Sequence, residues 1–371
     1  MTALSILKDL IRFPSITPDE AGSFSYIRSL LEGFEAIEID KEGVKNLYLY
    51  KDFLPYGEGV HLAFAGHLDV VPPGDGWLTD PFEAVEKDGL LYGRGSQDMK
   101  SGVAAFLAAI RQCQAFPGRI SLILTSDEEG DAKYGTVEVL KYLKEREELP
   151  RYCVVAEPTC DRSFGDMVKV GRRGSINGVI EIMGRQGHAA YPEKSLNPVH
   201  QIAPLLSKIA GVDLDDGDEF FAPSKLVITD IRGGMEVTNV TPGKLKIMFN
   251  VRNSTKTTKE DVEAYVRKQL DGLDYSLKLA QSAKPFRTNG ESAVVQSMAE
   301  AIRTVTGNAT TLGTAGGTSD ARFLGEYGVD TVEFGVVNDT IHAPNERTEI
   351  FQIEALEKVF VEFLKAFSKT A

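Results

Sequence analysis

Cysteine is scarce in this chain: Cys113, Cys153 and Cys160 are the only three among 371 residues, and no two of them form a C-x-x-C pair. An odd, widely spaced set argues against both a disulfide framework and a thiolate zinc site, and fits a reducing compartment. Long apolar runs are missing too. No stretch approaches the roughly 18 to 20 uninterrupted apolar residues that a membrane span requires. Near the amino terminus, Lys8 and Asp9 interrupt the apolar positions of residues 1–10. That is the pattern of an amphipathic helix and not of a signal-peptide core, so a cytoplasmic location is expected. Positive charge is in deficit, because 41 Lys and Arg against 54 Asp and Glu leave a formal charge of -13. Such a balance opposes general affinity for nucleic acid or an anionic membrane surface, yet it leaves room for a local cationic pocket that takes a small anionic substrate. There is also no internal repeat, low-complexity run or extended Pro/Gly/Ser linker, so any crossing between domains is short.

What is present begins with size. A chain of 371 residues exceeds the length at which one hydrophobic core usually stops growing, which favours two domains. Apolar runs at 60–65, 119–125 and 152–156 read as strands, and Val103, Phe106, Leu107 and Ile110 share one face of a helix over 101–112. With a further helix over 136–146, strands and helices alternate as in an α/β architecture with a largely parallel sheet. Sites in such sheets gather at the carboxyl ends of the strands. After Arg172-Arg173-Gly174 the pattern becomes strand 175–183, helix 197–210, strands 225–232 and 244–251, helix 259–270 and strand 275–279. That βαββαβ order is the split, ferredoxin-like unit. Past Pro285 the α/β rhythm resumes with a helix over 291–305, a strand over 331–334 and a closing amphipathic helix over 350–367. The expected division is a domain made of 1–173 and 286–371, with 174–285 inserted into it.

Only five histidines are present, in two settings. His61 and His200 lie in apolar strand and helix patterns, whereas His67, His188 and His342 sit in loops marked by Gly or Pro. A single loop histidine is most often a surface residue, so each needs company. His67 has it in Ala65-Gly66-His67-Leu68-Asp69, directly after the 60–65 strand. On extended backbone, residues i and i+2 face the same way, which aims an imidazole and a carboxylate into one place. A carboxylate behind a ligating imidazole fixes its tautomer and raises its basicity; the bland alternative is a polar cap at a strand end. The segment Gly93-Arg94-Gly95-Ser96-Gln97-Asp98-Met99-Lys100 delivers Asp98 to the start of the 101–112 helix. There it serves equally as an N-cap or as a carboxylate aimed at a metal.

The strand at 119–125 ends in Ser126-Asp127-Glu128-Glu129-Gly130-Asp131, with four acidic side chains within five positions. Such crowding marks a solvated loop unless a cation gathers the charges. Two adjacent glutamates permit a division of labour, one binding metal and the other acting as general base on water. Glu157 projects from the end of the 152–156 strand, just before Pro158, and His342 from the polar loop Asn338-Asp339-Thr340-Ile341-His342-Ala343-Pro344-Asn345-Glu346. Together, His67, Asp98, Glu129, Glu157 and His342 are the ligand types of zinc in an imidazole and carboxylate setting, with one carboxylate spare to bridge two ions.

In these motifs, their order and their rough spacing, the chain resembles the di-zinc aminoacylase and carboxypeptidase family, from about Leu4 to Phe367. Further points of likeness are Gly171-Arg172-Arg173-Gly174-Ser175, Gly187-His188-Ala189-Ala190-Tyr191-Pro192, Ser282-Ala283-Lys284-Pro285-Phe286 and Gly317-Thr318-Ser319-Asp320-Ala321-Arg322. The resemblance implies a zinc-peptidase-like catalytic domain, an inserted domain that serves for dimerisation and as a lid, and zinc-dependent hydrolysis of an N-acyl amino-acid amide. It implies two Zn2+ per subunit, replaceable by Co2+ or Mn2+, with His67 and Glu157 on one ion, Glu129 and His342 on the other, and Asp98 between them. Asp69 would orient His67, and Glu128 would be the base. His188 would stabilise the oxyanion from the other subunit of a homodimer, with Asn239 as a second contribution and Arg252 close by. Arg172, Arg173, Arg322 and Asn338 suit a carboxylate-rich small-molecule substrate, since guanidinium groups bind carboxylates through paired hydrogen bonds. Thr318 and Ser319 belong to the same substrate-binding motif. The bland alternatives are that His188 caps its own turn and that Arg172 and Arg173 form surface ion pairs. Gln97 stands where the family commonly has a small residue, and Arg287 replaces a more usual apolar one. A non-catalytic metal- or peptide-binding relative is a further reading, opposed by the presence of Glu128, a base that such a protein has no chemical reason to keep.

Overall fold

The computed structural model describes residues 1–370, and its contacts divide the chain into two compact units. One comprises Met1–Gly171, Arg287–Gly313 and the stretch from Ser319 onward; the other comprises Arg172–Phe286 and Thr314–Thr318.

In the first unit the strands Gly118–Thr125, Val60–His67, Tyr152–Val155 and Asp330–Glu333 lie side by side and parallel, in that order. They form the centre of an eight-stranded sheet among the described residues. All of Gly118–Thr125 is buried, as befits a strand covered on both faces, with Arg119 at its start paired to Asp52. The helices Ala3–Ile11, Lys100–Gln112, Ala293–Thr306 and Ile350–Thr370 pack on one another and on these strands. Phe64 is the hub of this packing, with the rings of Phe106, Phe360 and Phe363 centred 5.4, 5.8 and 6.1 Å away, the last two edge to face. The expectation from sequence omitted the antiparallel hairpin Glu35–Lys41 and Val44–Asp52, which extends the sheet beyond Gly118–Thr125.

The second unit carries a four-stranded antiparallel sheet, in the order Lys225–Gly233, Lys244–Arg252, Ser175–Met183, Tyr275–Ala283. This is the ferredoxin-like arrangement that βαββαβ connectivity produces. Alternation along Lys244–Arg252 buries Leu245, Ile247, Phe249 and Val251 on one face, where Val262 and Val266 of the Lys259–Gln269 helix meet them. That helix begins with a capping box in which Thr258 and Asp261 satisfy each other's backbone N–H groups. The helix expected over 197–210 is shorter. It is α-helical only over Pro198–Ile202 and tightens to a 3-10 helix over Ala203–Lys208, because Pro204 offers no N–H to the preceding turn and its ring crowds the carbonyl of His200. Lengths aside, the fold is α/β with a mostly parallel sheet and an inserted ferredoxin-like domain.

Candidate active site

Three parallel strands end together. His67 closes Val60–His67 and lies in register with Thr125, while Ala65 lies in register with Val155. Continuing the two neighbouring chains by a few residues brings Glu128 and Glu129 to one flank of His67 and Glu157 to the other. A fourth acid comes from the turn before Lys100–Gln112. That helix presses onto the strand end so closely that a Cβ on Gly102 would meet the Ala156 carbonyl oxygen at 2.0 Å. Asp98 is not its cap, since the N-cap is Met99, without a side-chain bond. The Asp98 carboxylate instead spans two imidazoles, with Oδ1 3.1 Å from His67 Nε2 and Oδ2 3.5 Å from His342 Nε2. His342 also meets Glu129 Oε1 at 3.0 Å. Glu157 Oε1 and Glu128 Oε2 stand 3.7 and 4.0 Å from His67 Nε2. Ligand atoms of His67, Asp98 and Glu129 all fall within 4.8 Å of one another.

The residues behind these side chains explain their aim. Asp69 serves two neighbours. Its main-chain oxygen accepts a hydrogen bond from His67 Nδ1 at 2.8 Å, which turns Nε2 toward the acids. Its buried carboxylate, 3.7 Å from Nδ1, accepts the backbone N–H groups of Glu129 and Glu128 at 3.1 and 3.4 Å and so shapes the turn that carries them. Met99 Sδ accepts the His67 backbone N–H at 3.3 Å. Sequence reasoning did not single out Glu346 or Arg94, although both lie inside the quoted motifs. Glu346 is buried and accepts the N–H groups of Gly95, Gln97 and Asp98, with Arg94 Nη1 at 2.7 Å completing its shell. It therefore fixes the Asp98 turn. Asp127 is spent on the backbone of Lys133 and Tyr134, and Asp131 pairs with Lys133.

Electrostatics follow from crowding five carboxylates around two imidazoles. Burial by itself disfavours a charged His67, but the hydrogen bond with Asp98 and the charges of Glu128, Glu157 and Asp69 outweigh it and lift its pKa well above the usual imidazole value. Hydrogen bonds with Asp98 and Glu129 raise His342 to about 10, against a smaller effect of burial. Burial opposes ionisation of Asp98, yet hydrogen bonds from His342 and His67 hold it well below the usual carboxylate range. Burial, together with neighbouring acids, pushes Glu157 well up and Glu128 to about 8. Without a cation, protons neutralise the cluster. The donor set, imidazole and carboxylate oxygen with one carboxylate reaching both imidazoles, fits a pair of divalent ions.

The remaining residues singled out from the sequence divide between the units. In the unit with the cluster, the buried Ser319 and the half-buried Arg322 stand either side of Asp320 and Ala321; Asp320 Oδ2 accepts from Thr136 Oγ1 at 2.6 Å, and Asn338 Nδ2 donates to Pro158 O, one residue past Glu157. In the other unit, His188 and Asn239 come together, because Gly187–His188 pairs with Val240–Thr241 and Ala189 N donates to Asn239 O. His188 Nδ1 accepts the Ala190 N–H at 3.1 Å. Arg172 is buried and donates to Gly317 O at 3.0 Å, beside Thr318, whereas Arg252 ends its strand exposed. Arg173 follows Arg172 at the entry to this unit.

A parallel α/β sheet that ends in an imidazole and carboxylate cluster with one shared aspartate has the form of a dinuclear metallohydrolase. The chain belongs to peptidase family M20/M25/M40, which it matches over residues 63–366. It is 62% identical over 367 residues to a protein of a Nitratiruptor species named succinyl-diaminopimelate desuccinylase, covering 99% of this chain and 100% of that one. A protein of the same name from a Sulfurovum species is 59% identical over 369 residues, with full coverage of both. Among solved structures, aminopeptidase PepT of Bacillus cereus superposes with a TM-score of 0.79 at 22% identity, covering 98% of each chain. The Bacillus subtilis YXEP protein, described as a dinuclear metal binding peptidase of the M20 family, gives a TM-score of 0.72 at 16% identity over 100% of this chain and 98% of that one.

Proposed function

We propose that this chain hydrolyses N-succinyl-L,L-2,6-diaminopimelate to succinate and L,L-diaminopimelate, a step toward lysine and cell-wall precursors, as a cytoplasmic homodimer with two Zn2+ per subunit. The observation that carries the chemistry is Asp98, one oxygen toward His67 and the other toward His342, with Glu128 beside them. The succinyl and diaminopimelate groups are taken from the name shared by full-length relatives at 62% and 59% identity. His67 and Glu157 would hold one ion and Glu129 and His342 the other, with Asp98 shared between them; Co2+ or Mn2+ would substitute. When bound, the ions supply the Lewis acidity that polarises the amide carbonyl and lets a water lose its proton near neutral pH.

The chain's own groups do the rest. Glu128 takes a proton from the attacking water. The water oxygen bonds to the amide carbon, and Glu128 returns the proton to nitrogen as the C–N bond breaks, leaving succinate and a free amine. Asp69 keeps His67 and the Glu128 turn in register throughout. His188 and Asn239 of a partner subunit donate to the tetrahedral oxyanion. Arg173, Arg252, Arg322, Asn338, Thr318 and Ser319 recognise the three substrate carboxylates, with Arg172 acting through the Gly317 loop that it holds.

Support for the dimer is the edge strand Lys225–Gly233, which leaves Val227 and Ile231 exposed at 47% and 45%. Such an edge is a template for pairing with a second copy. The test is hydrolysis of N-succinyl-L,L-diaminopimelate by the zinc-loaded protein, beside N-acetylornithine. Rapid turnover of the first and little of the second is expected. The reverse preference would assign the protein to acetylornithine or another N-acyl amino acid.

A further inference from the structure

Gln97 has no part in the chemistry above, yet its side chain is buried between two loops that are distant in the chain. Its Oε1 accepts the backbone N–H of Thr340 at 2.9 Å, and its Nε2 donates to Asp339 Oδ1. A carboxamide supplies an acceptor at one end and a donor at the other. Both partners belong to the loop that carries His342, and Gln97 immediately precedes Asp98. Its own main-chain N–H is fixed by Glu346 Oε1 at 2.8 Å. A two-point clasp thus joins the turn of one proposed ligand to the loop of another.

We infer that Gln97 is a positioning residue for the second metal position, the one formed by Glu129, His342 and one oxygen of Asp98. The inference rests on the two-metal reading. The first position, formed by His67, Glu157 and the other oxygen of Asp98, stands on strand ends and on the Glu346 shell, and does not need the clasp. His342 is different. It sits on an irregular loop at φ 60 with its side chain half exposed; a longer bond, Arg94 Nη2 to His342 O at 3.4 Å, holds its carbonyl, and Thr340 is tied besides by a reciprocal pair with the Arg347 backbone at 3.2 Å. Without the clasp the His342 loop loses its direct tie to the Asp98 turn.

The test is calorimetric titration of the metal-free, full-length protein with Zn2+, with thermal unfolding of each metal-free variant as the check on folding. Gln97→Met keeps the volume and removes both hydrogen bonds. It is expected to weaken the second equivalent about ten- to a hundredfold, in the range seen when supporting partners of metal ligands are lost, and to leave the first unchanged. Gln97→Glu sets a carboxylate against Asp339 and should weaken the second equivalent likewise. Adding Asp339→Asn rebuilds the same bond with donor and acceptor exchanged, and should restore it, a rescue that a space-filling residue does not show. Two equivalents in the parent protein with an unchanged second affinity in Gln97→Met, equal losses at both steps, or no rescue by the double variant would each overturn the positioning role and leave the two-metal reading intact. A single equivalent in the parent protein would overturn that reading, and this inference with it.

Discussion

Imidazoles that hold protons in the metal-free state must release them before they can bind a cation, and this makes the candidate site measurable without substrate. The folded pKa of His342 is raised from 6.5 to about 10, so its contribution to the stability of the metal-free protein is fully present below about pH 6.5 and is lost as pH rises toward 10. Zinc affinity should rise over the same window. Calorimetry in buffers of different ionisation enthalpy should show net proton release on zinc binding at pH 7, falling away at higher pH. Binding with no proton release would show that the imidazoles are already neutral. Glu128→Gln tests the base directly. Turnover should fall by about a hundred- to ten-thousandfold while the zinc content, measured by elemental analysis, stays constant. At this scale the sequence was informative where clustered side chains stand in tight motifs, as at His67 and Glu128-Glu129. It was silent on Glu346, because the partner of that residue is the backbone around Asp98, some 248 positions away. It also pointed to the Asp69 carboxylate as the group behind His67, where the structure uses the Asp69 carbonyl and gives the carboxylate to the glutamate turn.

Elements place these residues, and one contact does more than its motif suggests. The Lys100–Gln112 helix, which follows Asp98, sits with Gly102 against the Ala156 backbone, directly before Glu157. Gly102→Ala inserts a methyl group where the nearest atom, a carbonyl oxygen in a strand connection, has no rotamer by which to retreat. Overpacking of this kind costs about 1–3 kcal/mol, so the urea midpoint should fall. The displaced helix should also carry Asp98 away, lowering zinc retention in dialysis. A variant that lost stability but bound zinc as before would separate the helix from the site. The α/β alternation itself was legible, since buried strands such as Gly118–Thr125 and amphipathic helices have distinct periods. A continuous helix over 197–210 does not form, because Pro204 withdraws a backbone donor from it. The Glu35–Lys41 hairpin was passed over although its alternation is visible; its burial is partial, and it is the pairing with Gly118–Thr125 that completes it.

Strand order is a property of the whole molecule and is not written in any local pattern, which is why the sequence showed a strand near Lys225 without showing that it is an edge. That position matters for function. An exposed edge bearing Val227 and Ile231 is a liability in a monomer and an asset in a dimer. If the oxyanion is stabilised by His188 and Asn239 of a partner subunit, assembly and turnover are tied together, whereas metal binding, which uses only residues of the cluster, is independent of assembly. Val227→Lys with Ile231→Lys adds like charges across a two-fold pairing without touching the buried Leu226 on the opposite face. Sedimentation should then report a monomer that still binds zinc as the parent does, but with turnover lowered about a hundred- to a thousandfold, the scale of losing one oxyanion donor. His188→Ala should lower turnover similarly without changing assembly. Mixing a His188→Ala chain with a Glu128→Gln chain provides the decisive comparison: heterodimers that regain activity contain one intact composite site, and regain requires that the histidine act across the interface. A monomer with full activity would place His188 in its own subunit's site or outside the reaction altogether.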